Sequence, residues 1–176
     1  MSIIISIIAV IALIGIDQLT KVLAESYLLG GPGVTIIKNI VEFRFSYNTG
    51  AAFSMFDEFP IFPLIISILG VILILYFFKE VSFKKRPLYT ISLIMIYSGT
   101  WGNLIDRFLM VINQKEGVVD FINFLFVDFA IFNFADICLT VGMVLMCVYI
   151  FFYEPKNPLT LFKKKEKGEL NDAEGN

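Results

Sequence analysis

Four apolar runs, separated by short polar stretches, constrain this chain more than any other feature of its sequence. The first runs from Met1 to Ile16 without a charge and extends to about Leu23 if its polar end lies in an interface. The others are Phe59 to Phe78, Pro87 to Ile105 and about Phe132 to Tyr153. About twenty mostly apolar residues span the hydrocarbon layer of a bilayer, and backbone there must be helical to satisfy its own hydrogen bonds. Most of the charges cluster between these runs, so the 57% hydrophobic content reads as a polytopic membrane protein and not as a large soluble core. The first run lacks a basic start and an A-x-A cleavage site, so it is expected to be an uncleaved helix rather than a signal peptide.

Lysine and arginine positions predict the orientation. Lys79, Lys84, Lys85 and Arg86 lie between the second and third runs. Lys156, Lys163, Lys164, Lys165 and Lys167 follow the fourth, making nine of the fourteen basic residues. With four crossings they share one side, which the positive-inside rule makes the cytoplasm. Both termini are then cytoplasmic, and residues 24–58 and about 106–131 face outward. The expected organisation is one integral membrane unit over 1–158 and a charged, disordered tail over 159–176.

Within the outward segment, Val41 to Asn48 alternates with period two. Val41, Phe43, Phe45 and Tyr47 share one face, and Glu42, Arg44, Ser46 and Asn48 the other. The fold expected is all-α, four transmembrane helices, with a small extracytoplasmic β element between the first and second.

Several chemistries are excluded early. The chain has no histidine, so neither a His-activated nucleophile nor a His-ligated zinc site can form. A net charge of −2 gives no pull toward nucleic acid. Cys138 and Cys147, nine apart on one apolar run, would sit roughly 13 Å apart along a helix, too far for a disulfide between them.

Polar and ionisable residues near membrane helix ends are costly and therefore candidates for function. Asp17 and Lys21, four apart, close the first run. Asn48-Thr49-Gly50-Ala51-Ala52-Phe53 follows the strand, and Gly102, Asn103, Asp106 and Arg107 end the third run. Val118-Val119-Asp120-Phe121 sets a carboxylate in apolar surroundings, and Phe132-Asn133-Phe134-Ala135-Asp136 opens the fourth run. Plainer readings exist. Asp17 and Lys21 could be an interfacial ion pair capping a helix, Asp106 and Arg107 could order a helix end, and Asn48 and Gly50 could form a turn. The phenylalanines from Phe121 to Phe134 could be an interfacial aromatic cluster, with Asp128 a solvated acid among them.

Asp120 and Asp136 resist the plain reading, because neither has a basic residue within three positions. Burial raises a carboxyl pKa and a neighbouring carboxylate raises it further. Two acids sharing a proton can activate water and protonate an amide. From the residues alone, a transporter using membrane acids is the alternative, and a Mg²⁺ or Ca²⁺ site built from Asp106, Asp120 and Asp136 is another.

These blocks, in this order, resemble the bacterial lipoprotein signal peptidase family, also called signal peptidase II. The likeness rests on Ile16 to Lys21, Asn48 to Ser54, Gly102 to Arg107, Val118 to Phe121 and Phe132 to Asp136, and runs from about Ile16 to Gly142. It implies an aspartic-type membrane protease with Asp120 and Asp136 as the catalytic pair. It also implies that Asp17, Lys21, Asn48, Gly50, Asn103, Asp106, Arg107, Asn133 and Ala135 line or support the site, with no metal and no cofactor. The substrate it implies is a prolipoprotein carrying a diacylglyceryl cysteine, cut just before that cysteine by a monomer in contact with lipid in the inner membrane. The chain departs from the family pattern at Ser98-Gly99-Thr100-Trp101, where G-G-A-x is usual and looser helix packing is expected. Ile137 replaces a small polar residue, so the helix start is expected to be bonded differently. A G-x-G-D block of other membrane aspartyl proteases is absent, and Ser26 and Ser46 lie near no lysine motif suited to a serine-type signal peptidase.

Overall fold

The structure is a computed structural model that describes residues 1–49 and 61–153. Helix α1 spans Ser2–Leu28, α2 Ile61–Phe77, α3 Pro87–Val111 and α4 Phe134–Phe152, and a 3-10 turn at Phe78–Glu80 follows α2. Strands β1 (Val34–Ile37), β2 (Val41–Asn48) and β3 (Val118–Phe124) form an antiparallel sheet in the order β1-β2-β3.

Each of the four apolar runs carries one of these helices. Three helical segments, Ser2–Leu28, Ile61–Glu80 and Phe134–Phe152, are long and apolar enough to cross a membrane. The 25-residue α3 is not among them, because its polar residues dilute its apolar ones. The expectation of four spanning helices is thus met by length and composition for three. The physical reason lies in packing: α3 is the central helix and contacts α1, α2 and α4. A helix shielded by three neighbours can carry polar side chains inward at little cost in lipid exposure. Apolar side chains of α1, α2 and α4, such as Ile8, Leu73 and Val144, are left exposed, as a lipid-facing surface requires.

Two boundaries differ from expectation. Helix α1 continues seven residues past Lys21, so Asp17 and Lys21 are not at its end but inside the bundle. At 1.5 Å per residue, 27 residues reach about 40 Å, more than the ~30 Å hydrocarbon layer, so α1 projects beyond it. Helix α3 likewise runs to Val111, which places Asp106 and Arg107 within it rather than after it.

The projecting end of α1 carries the sheet. Ala24 and Leu28 pack with Val119 and Phe121 of β3, and Phe43, Phe45 and Tyr47 of β2 cover them. The aromatic face predicted for β2 is therefore the packed face, set against α1 and β3. The opposite face brings Ser46 across from Asp120 and Glu42 across from Asn123, whose amide donates to Glu42 at 2.9 Å. A second cluster at the far end of the bundle joins Val10, Phe78, Val81, Tyr89, Leu93, Ile94 and Tyr149.

The helix packing expected to be loose before Gly102 is close. A Cβ on Gly99 would collide with the Ala135 carbonyl, and one on Gly102 would stand 2.5 Å from Asp17 Oδ2. Glycine at these two positions lets α3 touch α4 and α1 directly.

Candidate active site

Backbone pairing brings the two acids together. After β3 the chain loops through residues 125–131 and returns, and Phe132 N–H donates to the Ile122 carbonyl at 3.0 Å while Ile122 N–H donates to the Phe132 carbonyl at 2.8 Å. That return lays the start of α4 against Asp120. Asn133 is the N-cap of α4. Its side-chain oxygen accepts from Asp136 N–H at 3.0 Å, and the Asp136 carboxylate accepts from Asn133 N–H at 3.1 Å, a reciprocal capping box. The cap forms without a polar residue at Ile137, whose N–H donates to the Asn133 carbonyl at 3.3 Å.

The cap then determines which way the Asn133 amide faces. Its oxygen is committed to a backbone donor, so its nitrogen turns toward Asp120 and donates to Oδ1 at 2.6 Å, and also toward Val119 O and Asn103 Oδ1 at 3.2 and 3.1 Å. Asn103 is oriented by the same logic. Lys21 Nζ can only donate and lies 2.9 Å from Asn103 Oδ1, so the Asn103 nitrogen faces Asp136 and donates to Oδ1 at 2.8 Å. From β2, Asn48 donates to Asp120 Oδ2 at 2.9 Å. Each carboxylate thus receives one amide hydrogen whose direction a second group enforces, from Asn133 on Asp120 and from Asn103 on Asp136.

Behind this pair is a buried ion cluster. Lys21, with no exposed surface, pairs with Asp17 Oδ2 at 2.9 Å and Asp106 Oδ2 at 2.8 Å. The other oxygen of Asp17 accepts from Ala135 N–H at 2.9 Å, which ties α1 to the first turn of α4. Gln18 donates to Asp17 Oδ2 and to the Gly102 carbonyl, both at 3.1 Å. Asp106 Oδ1 meets Lys115 at 2.9 Å. The interfacial-cap reading of Asp17 and Lys21 is corrected: they hold three helices together from inside. Asp106 is likewise occupied by two lysines, so it is no ligand-in-waiting for a metal shared with Asp120 and Asp136.

Asp120 is almost fully buried, and that burial pushes its pKa up to about 7. Hydrogen bonds from Asn48 and Asn133 oppose the rise, and the charge of Asp136 adds to it. A cavity of about 430 Å³ opens beside Asp136, walled by Phe124, Phe129, Ile131 and Phe132, with Asn48, Asp136 and Thr140 as polar points on its lining.

Of the residues singled out from sequence, Asp17, Lys21, Asn48, Asn103, Asp106, Asn133, Ala135, Asp120 and Asp136 converge here. Arg107 donates to Ser67 of α2 at 2.7 Å, and its buried guanidinium also stands within electrostatic reach of Asp136, Asp120 and Asp106. Gly50 lies outside the described residues. Asp128 is an exposed loop acid, as its plain reading held. Lys115, Glu25 and Gln18 carried no spacing signal in the sequence. Lys115 is the only basic residue between α3 and β3, and that is the one hint it gave.

The model of the family described as Signal peptidase (SPase) II matches residues 8–152. A lipoprotein signal peptidase of Clostridioides difficile (strain 630) is 32% identical over 151 residues, covering 86% of this chain and 97% of the relative. One from Fusobacterium nucleatum subsp. nucleatum is 36% identical over 146 residues, covering 80% and 83%. One from Listeria monocytogenes serotype 4a (strain HCC23) is 35% identical over 148 residues, covering 83% and 92%. A solved bacterial membrane enzyme superposes with a TM-score of 0.72 at 28% identity, over 85% of this chain and 94% of the other. The transporter alternative finds no support in these likenesses.

Proposed function

The chain belongs to the signal peptidase II family, and on that premise we propose that it removes signal peptides from lipoprotein precursors with Asp120 and Asp136 as the paired acids that activate water. It is a membrane peptidase. The observation that carries the assignment of the pair is their junction through Asn133, which donates to one carboxylate and forms a capping box with the other.

The chemistry follows from the two environments. Asp120, with its pKa near 7, keeps a proton to neutral pH and serves as the acid toward the scissile carbonyl oxygen. Asp136, which accepts from Asn103 and from the Asn133 N–H at a helix start, takes the proton from water. The tetrahedral diol collapses as Asp136 gives its proton to the leaving amine nitrogen and Asp120 takes one back from a diol hydroxyl, so the C–N bond breaks, the pair is reset and no acyl-enzyme forms. The pair titrates as a unit, so both limbs of a pH profile belong to it jointly. An oxyanion role for Asn133 is not compatible with an amide already directed at three acceptors. Asn48, on the cavity wall, is the donor we assign to the developing oxyanion, a role worth roughly 3–4 kcal/mol elsewhere.

Substrate and setting belong to the same proposal. A precursor held by two acyl chains and an apolar signal helix leaves a bilayer only at about 0.8 kcal/mol per buried CH₂, so its cleavage site stays near the surface. The apolar cavity beside Asp136 suits such a substrate, cut before its lipidated cysteine. We assign α3 as the fourth crossing, both termini to the cytoplasm, the site to the outer face of the inner membrane, residues 1–158 to the working unit, and a monomer as the active form.

Asp120→Asn and Asp136→Asn, each keeping size and removing the titratable proton, are expected to reduce cleavage of a lipidated precursor by at least about 10³-fold while the protein still inserts and folds. Turnover by either variant at a rate near that of the parent would sink the assignment. Cleavage is also expected to be indifferent to EDTA.

A further inference from the structure

Lys115 lies in the short link between α3 and β3, at the edge of a polar cavity of about 650 Å³ shared with Tyr47, Met110, Gln114 and Glu116. Its ammonium points inward. It is the starting point of two polar routes, and each ends on a different member of the acid pair. On one side Lys115 meets Asp106 Oδ1 at 2.9 Å, Asp106 Oδ2 meets Lys21 at 2.8 Å, Lys21 holds Asn103 Oδ1 at 2.9 Å, and Asn103 donates to Asp136 at 2.8 Å. On the other, Lys115 stands 3.9 Å from Glu25 Oε2, and Glu25 Oε1 accepts from the Tyr47 hydroxyl at 2.6 Å. Tyr47 is the neighbour of Asn48, which donates to Asp120.

We propose that Lys115 is a positioning residue: its charge balances the buried cluster behind the acid pair and so holds both carboxylates in their working geometry. Without it, Lys21 would be the sole cation between Asp17 and Asp106, leaving a buried negative charge. Asp106, stripped of one partner, would draw Lys21 away from Asn103. The Asn103 amide would then lose the donor that fixes its direction and could present its oxygen, not its nitrogen, to Asp136. At the same time the Glu25–Tyr47 contact that seats the end of β2 would lose its counterion. The Tyr47 phenol, raised to about 12 chiefly by its bond to Glu25, remains a donor throughout.

The charged and titratable groups facing Lys115 are Asp106 from α3, Glu25 from α1 and Tyr47 from β2, with its exposed neighbour Glu116 beside them and Lys21 and Asp17 behind Asp106. Removing the cation leaves the buried cluster with more negative charge, and Arg107, which also faces Asp106, Asp120 and Asp136, stays in place, so the pH profile moves to higher pH.

The test uses the full chain in lipid, assayed on a lipidated precursor. Lys115→Gln is expected to lower kcat by roughly 10–100-fold with KM unchanged and to shift the profile upward. Lys115→Arg keeps the parent profile. In a background with Cys138→Ala and Cys147→Ala, Lys115→Cys behaves as the glutamine variant, and aminoethyl methanethiosulfonate, which restores a lysine-like cation, restores rate and profile. An unchanged rate and profile in Lys115→Gln overturns the proposal. So does a slow variant whose profile has not moved and which the cation does not restore, since that is a merely structural defect. If Lys115→Gln fails to fold, a displaced profile in Lys115→Arg or in the aminoethylated protein is the overturning result. The inference rests on the paired-acid reading, and the two fail separately: turnover by Asp120→Asn or Asp136→Asn defeats that reading, whereas inactive aspartate variants with an indifferent Lys115 defeat only this one.

Discussion

Asn133 shows how one side chain can serve structure and chemistry at once. Its oxygen caps α4 and its nitrogen faces Asp120, so Asn133→Ala removes a helix cap worth about 0.5–2 kcal/mol and a hydrogen bond to the acid together. The raised pKa of Asp120 sets a direction for pH dependence. If Asp120 is the acid, as proposed, the rate is expected to fall as pH climbs through about 7, measured as kcat on a lipidated precursor. Lys21 is buried against two acids, and Lys21→Met leaves both without their shared partner. A loss of about 3–5 kcal/mol is expected, visible as a lowered thermal midpoint in detergent. Cys138 and Cys147 are both unpaired, and replacing them with Ala is expected to leave cleavage intact.

At the level of elements, two contacts control the site. One is the closeness of α3 to α1 and α4. Gly102→Ala would drive a methyl group against the Asp17 carboxylate, and Gly99→Ala would do the same against the Ala135 carbonyl. Each is expected to cost about 1–3 kcal/mol and to slow cleavage, because the helices that carry Asn103 and Asp136 are forced apart. A thermal melt beside a rate measurement checks both effects. The other contact is the sheet. β2 was legible because its alternation is regular, but β3 was not, since Val118 to Phe124 has no period-two pattern. Its first four residues are all buried, so both faces are covered and apolar residues have no reason to alternate. β1, with four exposed residues, offered no pattern at all.

Across the whole molecule, the proposed direction in the membrane matches a separation of the basic link between α2 and α3 from the paired acids. The cluster of Val81, Tyr89 and Tyr149 lies at the basic end, and the sheet and acids lie at the other. Single cysteines placed at 84 and at 114 in a cysteine-free chain are expected to react with an impermeant thiol reagent from opposite sides of sealed vesicles. Reaction from one side would remove α3 as a crossing. The presence of four helices, the amphipathic strand and the oddity of two unpaired acids were legible in local patterns, because hydrocarbon thickness, strand pleat and the cost of unpaired charge act on residues near in sequence. The rest depended on distance in sequence. No local rule links Lys21 to Asn103, Ala135 to Asp17 or Lys115 to Asp106, since each contact joins segments brought together by helix packing. Those contacts exist because a charge or amide withdrawn from water must find its partner in three dimensions, wherever along the chain that partner is encoded.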